Sequence, residues 1–585
     1  MKMDGLLVRA ASSELQSRLG GARIQRVYQP DYVTLCLEVF SGRDRPVLLI
    51  STDPQLASLH LEDSLKGLAA PPPFVMLLRK HVMGARITGI SQLGWDRVVK
   101  ISLTGYDAAG DERNWNLWLE ILGAQTNLYL VDEQGRVTGR LRPRHGRLEP
   151  GNIYQPPASD KLSLSESREA FLEDFRNKWS WVRPEDTLSR AVFGLVDGLG
   201  PITAREVVWR AGYLPQVPVA NLGDPLKTAE HLAQACLSLL ESVRELKIEP
   251  SSAQVEGKVL AAPFPLEHLG PTDWTRYPTV IEMLASLYME IRVSRHLLSE
   301  RRRLEAAVNK NLKRARRKIK KQRLDLKKAG DPESYRVQGE LLTAFMHQVS
   351  RGDSSVTVPD YHEGGEIRIQ LDPALSPSDN AQQYFRRYRK AKRTRDMARR
   401  QLRRTERDIE YLEGLELALE AAEDLVDLED IAREMRRQRL LKKPRGRKAR
   451  RESAPGKPQF LLFRSPSGYP IAVGKNNRQN DFITFRWARP DDLWLHAKDI
   501  PGSHVVLSLS GEEPSREDVE KAAILAAHYS KGRQGGNVEV DVTKVTNVQK
   551  PRGAAPGYVT YTGHRTLYVT PESDLLPEPW KGDRG

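Results

Sequence analysis

Cysteine is nearly absent from this chain: Cys36 and Cys236 are the only two in 585 residues. That excludes a disulfide framework and a cysteine-rich zinc site. No run reaches the roughly 18 uninterrupted apolar residues of a membrane-spanning helix. The opening segment, Met1 to Gln16, is amphipathic without an apolar h-region, so no signal peptide is expected and a cytoplasmic location is. Catalytic signatures are missing as well. The sequence has no Gly-x-Gly-x-x-Gly, no P-loop, no Gly-x-Ser-x-Gly and no His-Glu-x-x-His. Without a P-loop, work driven by ATP or GTP is not expected. Neither an enzyme nor a bound cofactor is expected.

Positive charge is present, and it is concentrated. Residues 300–328 carry 14 Lys/Arg against 3 Asp/Glu, residues 384–407 carry 12 against 2, and residues 433–451 carry 11 against 1. These runs net +31 in a chain of +15, so the remainder nets about −16. Charge gathered on three elements of an otherwise acidic chain is the footprint of a polyanion binder. A solvated helical face is the alternative for any single run.

Apolar content of 39% with 29% charged residues fits a water-soluble chain of several domains. Residues 1–157 read as a β-rich domain opened by a helix over 6–19. Its strands are expected at 24–28, 33–40, 46–51, 86–91, 97–103, 115–122 and 126–132, separated by turn signals. The stretch Pro150 to Pro157 makes a domain edge. Residues 158–275 read as helical. Residues 276–441 read as two long helices, 279–328 and 380–440, closing as an antiparallel coiled-coil hairpin with a small tip at 331–378. In the second arm Tyr388, Ala391, Ala398, Leu402, Ile409, Leu412 and Leu419 fall on a strict 3–4 repeat, with Arg395, Thr405 and Glu416 filling the gaps. Residues 442–458 read as a basic linker. Residues 459–575 read as a final α+β domain, with strands at 459–464, 470–474, 482–486, 503–509, 537–542 and 558–561 and a helix at 515–531. The fold class is α+β, multidomain.

Four places carry candidate chemistry. In the cluster Asp491 to His504, strand alternation puts Asp492, Trp494 and His496 on one face, with Lys498 and His504 nearby. That set could stack a base and bond its edge, or it could be a half-buried Trp with an ordered acid–His pair. A metal reading of His496 and His504 lacks a ligand motif, and no metal site is expected. Gly94-Trp95-Asp96-Arg97 sits at a turn, where Asp96 and Arg97 make a local salt bridge or Arg97 meets a phosphate. Val196-Asp197-Gly198-Leu199-Gly200-Pro201 resembles a helix-hairpin-helix turn, in which Gly198 and Gly200 could offer backbone N–H groups to a phosphate; a plain Gly-rich turn looks the same. On the arms, Arg314, Arg316, Arg317, Lys318, Arg386, Arg387, Arg389 and Lys390 are the candidate contacts to a large anionic partner.

Taken together, these pieces resemble the NFACT family, of the bacterial RqcH/FbpA type, over nearly the whole chain. The resemblance rests on Met1 to Leu15, Gly94-Trp95-Asp96-Arg97, Pro150-Gly151 with Tyr154 and Pro156-Pro157, and Gly198-Leu199-Gly200-Pro201. It extends through Tyr335-Arg336 with Gly339 to Leu342, Leu371-Asp372-Pro373, and Asn380-Ala381-Gln382 with Tyr384-Phe385. It ends in Val473-Gly474-Lys475-Asn476-Asn477-Arg478-Gln479-Asn480-Asp481 and the Trp494/His496 cluster.

The resemblance implies an N-terminal domain like that of glycosylases, a helix-hairpin-helix domain and a C-terminal RNA-binding domain. It implies a monomeric ribosome quality-control factor that binds a large ribosomal subunit carrying a stalled peptidyl-tRNA. Such a factor recruits alanyl-tRNA and promotes untemplated C-terminal alanine tailing. Asp96 and Arg97 then match the pair needed for tRNA, the Asp492–His496 cluster matches the RNA-binding motif, and the arms reach ribosomal RNA and proteins near the stalk base.

One stretch departs from the family: Gly123-Ala124-Gln125-Thr126-Asn127 stands where Gly-Arg-His-Ser-Asn is common. Two other readings carry less. A glycosylase would need an N-terminal proline amine, and the chain begins Met1-Lys2-Met3-Asp4. A fibronectin-binding adhesin would need a route to the surface.

Overall fold

The first helix begins where a side chain can close its open end. The Asp4 carboxylate accepts the Leu7 N–H, and α1 follows over Gly5–Leu19 with Leu6, Leu7, Ala10, Leu15 and Leu19 buried, the face that the 3–4 spacing predicts. The computed structural model describes residues 2–42, 44–63, 65, 67–106, 109–163, 167–328, 330–362, 364–442, 458–509 and 511–580. They divide into two compact units, 1–294 and 295–585.

In the first unit α1 packs on a nine-stranded antiparallel sheet. Its strands are β1 (Arg23–Asp31), β2 (Thr34–Phe40), β3 (Val47–Ser51) and β4 (Ser58–Glu62), then, after α2 (Pro73–His81), β5 (Arg86–Gln92), β6 (Val98–Tyr106), β7 (Glu112–Glu120), β8 (Asn127–Val131) and β9 (Val137–Arg140). The order is β4-β3-β2-β1-β5-β6-β7-β8-β9. β2 and β3 are buried on both faces. Leu35, Leu37, Leu48 and Ile50 join the main core, while Cys36, Val47 and Leu49 pack with Tyr28, Leu56 and Tyr288.

The main core continues into α3 (Arg168–Trp179), α4 (Leu188–Leu195), α5 (Pro201–Arg210) and α6 (Pro225–Arg244). The all-helical expectation for 158–275 needs correction. β10 (Ser251–Val255), β11 (Lys258–Ala262) and β12 (Thr275–Arg276) form a small sheet. The β10–β11 turn, Glu256-Gly257, has both φ values positive. That is type I′ geometry written with Glu-Gly instead of the recognisable Asn-Gly.

Helix α7 (Val280–Lys328) starts in the first unit and continues into the second. There it is followed by α8 (Pro332–Ala344), the hairpin β13 (Ser355–Pro359) and β14 (Glu366–Gln370), and α9 (Pro377–Ala421). Leu304, Val308 and Leu312 meet Leu412, Leu415 and Leu419. Arg316–Glu413 and Arg323–Glu406 ion pairs fix the antiparallel register. The second arm is not continuous to 440. It stops at Ala421, and α10 (Leu425–Arg437) restarts under an Asp424 cap that accepts the Asp427 N–H. Leu428, Ile431 and Met435 then fold back into the arm core. Most of the expected linker, 443–457, lies outside the described residues.

The C-terminal sheet runs β15-β16-β18-β17-β19-β22, all antiparallel. Its elements in chain order are β15 (Leu461–Arg464), β16 (Pro470–Val473), α11 (Asn477–Phe482), β17 (Leu493–Ala497), β18 (Val505–Leu507), α12 (Arg516–His528) and β19 (Val538–Lys544). The short pair β20 (Val548–Gln549) and β21 (Thr560–Tyr561) follows, then β22 (Arg565–Val569). A strand expected at 482–486 is instead helical, because α11 runs on through a π turn at Ile483–Trp487. That turn caps one face of the sheet, over Ala472, Trp494 and Val506, and α12 covers the other.

Candidate nucleic-acid interface

In the first unit three separated motifs meet at one place. Trp95 is buried beneath Gly198, whose φ of +85° and close approach (an added Cβ would lie 2.9 Å from the Trp95 Cβ) leave room for glycine only. The Gln92 amide donates to the carbonyls of Gly5 and Asp96 at 2.9 and 2.8 Å. The Arg9 guanidinium caps the Trp95 ring and donates to the Gly94 carbonyl. On the other side, Thr203 donates to the Asp4 carboxylate at 2.9 Å.

The turn residues behave differently from the sequence expectation. Asp96 accepts the backbone N–H of Arg97 at 2.7 Å, and no Asp96–Arg97 side-chain salt bridge forms. Arg97 is exposed and has no ion pair with another described residue. Asp197 sits close behind, its carboxyl raised by burial and by the charge of Asp96. Burial lowers the Lys161 ammonium, which donates to the Phe193 carbonyl.

The two glycines do not serve as a phosphate cradle here. The Gly198 N–H bonds the Asp197 carboxylate at 3.0 Å, and the Gly200 N–H bonds the Thr203 hydroxyl at 2.7 Å. Both donors are used internally.

Arg97 also accepts, through its carbonyl, the Ile121 N–H, so the loop 121–127 lies beside it. Within that loop Gly123 has φ +60°. Asn127 is a buried hub: its carbonyl oxygen accepts the N–H groups of Leu128 and Arg142, and its amide donates to the carbonyls of Arg142 and His145. The buried Arg142 guanidinium bonds the Thr126 carbonyl at 2.6 Å. Ala124 and Gln125 are exposed. Gly123 and Asn127 thus shape and hold the loop, while Ala124 and Gln125, at the Arg and His positions of the pattern, face outward. Arg144 and His145 are exposed on the adjoining loop, where the Asn127 amide holds the His145 carbonyl, a contact no local pattern signals.

In the C-terminal sheet the Trp494 cluster forms, but the ring is 0% exposed. It packs with Ala472, Ile483, Val506 and Val548, so it cannot stack a base. Asp492 is also buried; it accepts the N–H groups of Arg489 and Leu509 and so ties strand ends together. His496 stacks on Trp494 with centroids 5.6 Å apart and 13° between planes. His504 stands edge-on to both rings.

The His504 Nε2 must carry the proton, because its partner is the Gly557 carbonyl; its Nδ1 accepts from the Thr484 hydroxyl at 2.8 Å. Burial pulls His496 down to about 4 and holds His504 neutral. Across the sheet from His496, Asp541 is buried and accepts from Tyr561 and Thr566. Lys498 is paired with Glu539 at 2.9 Å. His496 and Lys498 are the half-buried members of this set, and Asp492, Trp494 and His504 are buried. No group of His, Cys, Asp and Glu fit to hold a metal occurs among the described residues.

The eight arm residues, Arg314, Arg316, Arg317, Lys318, Arg386, Arg387, Arg389 and Lys390, are all exposed. Arg316 spends its charge on Glu413 and Arg387 lies over the Tyr384 ring. The segment Lys475 to Arg478 faces inward. Lys475 pairs with Asp427 at 2.7 Å, Arg478 with Asp430 at 3.1 Å, and Asn477 donates to Glu434 at 2.9 Å. This motif docks the sheet on α10. No described helix is long and apolar enough to cross a membrane.

Comparison with known proteins agrees over the full length. Residues 4–454 match the NFACT N-terminal and middle domains, and residues 459–563 match the NFACT protein RNA binding domain. The Rqc2 homolog RqcH of Bacillus subtilis is 33% identical over 98% of this chain and 99% of its own length; that of Streptococcus pneumoniae serotype 2 is 32% identical with the same coverage. Among solved structures, the C-terminal part of the fibronectin/fibrinogen-binding protein from Streptococcus suis is 33% identical, with a TM-score of 0.38 over 48% of this chain and 97% of that one. With both of its family domains matched in order and relatives aligned end to end, the chain belongs to the NFACT family.

Proposed function

We propose that this protein is a cytoplasmic ribosome quality-control factor. It binds a large ribosomal subunit obstructed by peptidyl-tRNA, recruits alanyl-tRNA and promotes untemplated alanine addition to the stalled chain. The subunit's own peptidyl transferase centre makes the bonds, so the protein acts by positioning and is not itself an enzyme.

The observation that carries this reading is Arg97: an exposed guanidinium that forms no ion pair with another described residue, on a turn locked by Gln92 and Trp95. Such a group selects and orients a phosphate of a structured RNA. The exposed basic faces of α7 and α9 supply the affinity, toward ribosomal RNA and proteins near the stalk base. End-to-end similarity to proteins named Rqc2 homolog RqcH supports the assignment.

A second reading, binding without tailing, is favoured by one observation. The exposed tip residues beside Arg97 are Ala124 and Gln125, which offer no charge to a tRNA. Sedimentation with purified large subunits tests the shared part. Binding should fall about 10³-fold or more between 50 and 200 mM salt. Binding that needs intact ribosomes and ignores split subunits would overturn it.

A further inference from the structure

A cavity of about 290 Å³ opens between the last turns of α9 and the C-terminal sheet. From the α9 side its wall is small: Gly414, Ala418 and Ala421. From the sheet side come Asn476, Asn480, Ser503, His528 and Tyr529. Asn476 is 4% exposed, and its Oδ1 is used to accept the Gln479 N–H. Its Nδ2 has no acceptor among the described residues, nor has the Nδ1 of His528 a partner. Two residues lining one cavity thus each hold a buried polar atom without a partner, which costs stability unless something meets it.

The charges narrow what that is. The cations on the wall are already matched: Lys475 with Asp427, Arg533 with Glu420. A phosphate entering here gains no free cation and meets Glu420 and Glu423. A neutral, planar, hydrogen-bonding group fits better. The volume lies at the small end for ligand sites, enough for a single heterocycle and too little for a folded peptide turn. His528 and Tyr529 supply rings, 5.0 Å apart and nearly perpendicular, against which such a group can pack.

We propose that this cavity takes the flipped-out base of an unpaired RNA nucleotide. The Asn476 amide and His528 imidazole bond its edge, and the sugar-phosphate stays outside in solvent, since Lys531 and Arg533 at the rim are paired with Glu413 and Glu420. This rests on the RNA-binding reading above and adds a site to it. It also gives the wall a use that the docking of Lys475 and Arg478 on α10 does not require.

The test uses the full chain with short unpaired homo-oligoribonucleotides of A, C, G and U, and a duplex of complementary strands. Binding is read by fluorescence anisotropy, and thiouridine-containing strands are crosslinked and mapped by mass spectrometry. Asn476→Asp keeps the oxygen that caps α11 and removes the free donor. Ala421→Leu fills the cavity from the α9 side and leaves Asn476 untouched, so it decides the matter if Asn476→Asp misfolds.

Crosslinks are expected at His528 or Tyr529, with single-strand binding about tenfold weaker in either variant and duplex binding unchanged. Crosslinks elsewhere together with unchanged binding would overturn the site and leave the cavity to water. Capture of a peptide but no oligonucleotide would overturn it as well. If large subunits still bind in those cases, only this site fails; if neither oligonucleotides nor subunits bind, the RNA-binding reading itself fails.

Discussion

The Gly5 N–H donates to the Gly198 carbonyl at 2.8 Å, so the start of α1 rests directly on the turn before α5. A Cβ on Gly5 would lie 2.0 Å from the Trp95 carbonyl oxygen and 2.4 Å from the Gly198 Cα. Nothing there is a flexible side-chain tip. Gly5→Ala should therefore destabilise the first unit by about 3 kcal/mol, the upper end of overpacking. Thermal unfolding checks this, and tRNA binding should fall with it because the Trp95 turn moves.

Arg97 should behave in the opposite way. Its side chain is exposed and unpaired, so Arg97→Ala should change stability by less than about 0.5 kcal/mol. Loss of a charge-assisted contact to phosphate should nevertheless weaken tRNA binding by about tenfold or more. Denaturant melts and filter binding on the same preparation separate the two effects. Arg97→Lys should recover only part of the binding, since a bidentate fork is lost.

The side chains of Lys475 and Asp427 are 12% and 9% exposed and lie 2.7 Å apart. Removing Asp427 leaves Lys475 only the more distant Glu423 at 3.8 Å, and removing Lys475 leaves Asp427 only the Glu423 N–H, so Lys475→Ala or Asp427→Ala should each cost about 3 kcal/mol. The double replacement Lys475→Met with Asp427→Leu should restore most of that loss. Denaturant unfolding of the parent, Lys475→Met, Asp427→Leu and the Lys475→Met/Asp427→Leu double variant closes the cycle, and a coupling near zero would show that this contact does not hold the sheet to α10.

Acid should loosen the C-terminal sheet before it touches most carboxylates. His496 and His504 have pKa values lowered in the folded state, so the unfolded chain binds protons there first. Stability present above the ordinary histidine value is lost as pH falls from about 6.5 toward about 4. Asp4 and Glu434, whose carboxyls are raised by burial, act with the opposite sign. Melting followed by Trp fluorescence at pH 7, 6 and 5 should show the decline, and His496→Asn should flatten it.

The arms were the most legible part of the sequence, because Leu304, Leu312, Leu412 and Leu419 repeat at helical spacing and meet where that spacing puts them. The alternation in β17 was legible as well, but not that Trp494 is covered. That depends on the π turn at Ile483–Trp487, whose residues read as a strand by composition. The glycines of the turn before α5 were visible and their use was not. Asp197 and Thr203 claim both N–H groups, and the Asp4 contact to Thr203 joins residues 199 apart in sequence. Lys475 and Arg478 read as part of an RNA-binding motif, yet their partners Asp427 and Asp430 sit on a helix that the sequence hid inside a longer one.

The proposed role, promotion of alanine tailing through a tRNA contact made by Arg97, has one direct test. Mass spectrometry of the C-terminus of a stalled reporter chain tests it most directly, with the parent protein and with Asp96→Ala/Arg97→Ala. The account predicts alanine extensions with the parent and none with the double variant, while both bind large subunits. Tails unchanged in the double variant would contradict the role of Arg97, and no tails with the parent would leave a binding factor without tailing.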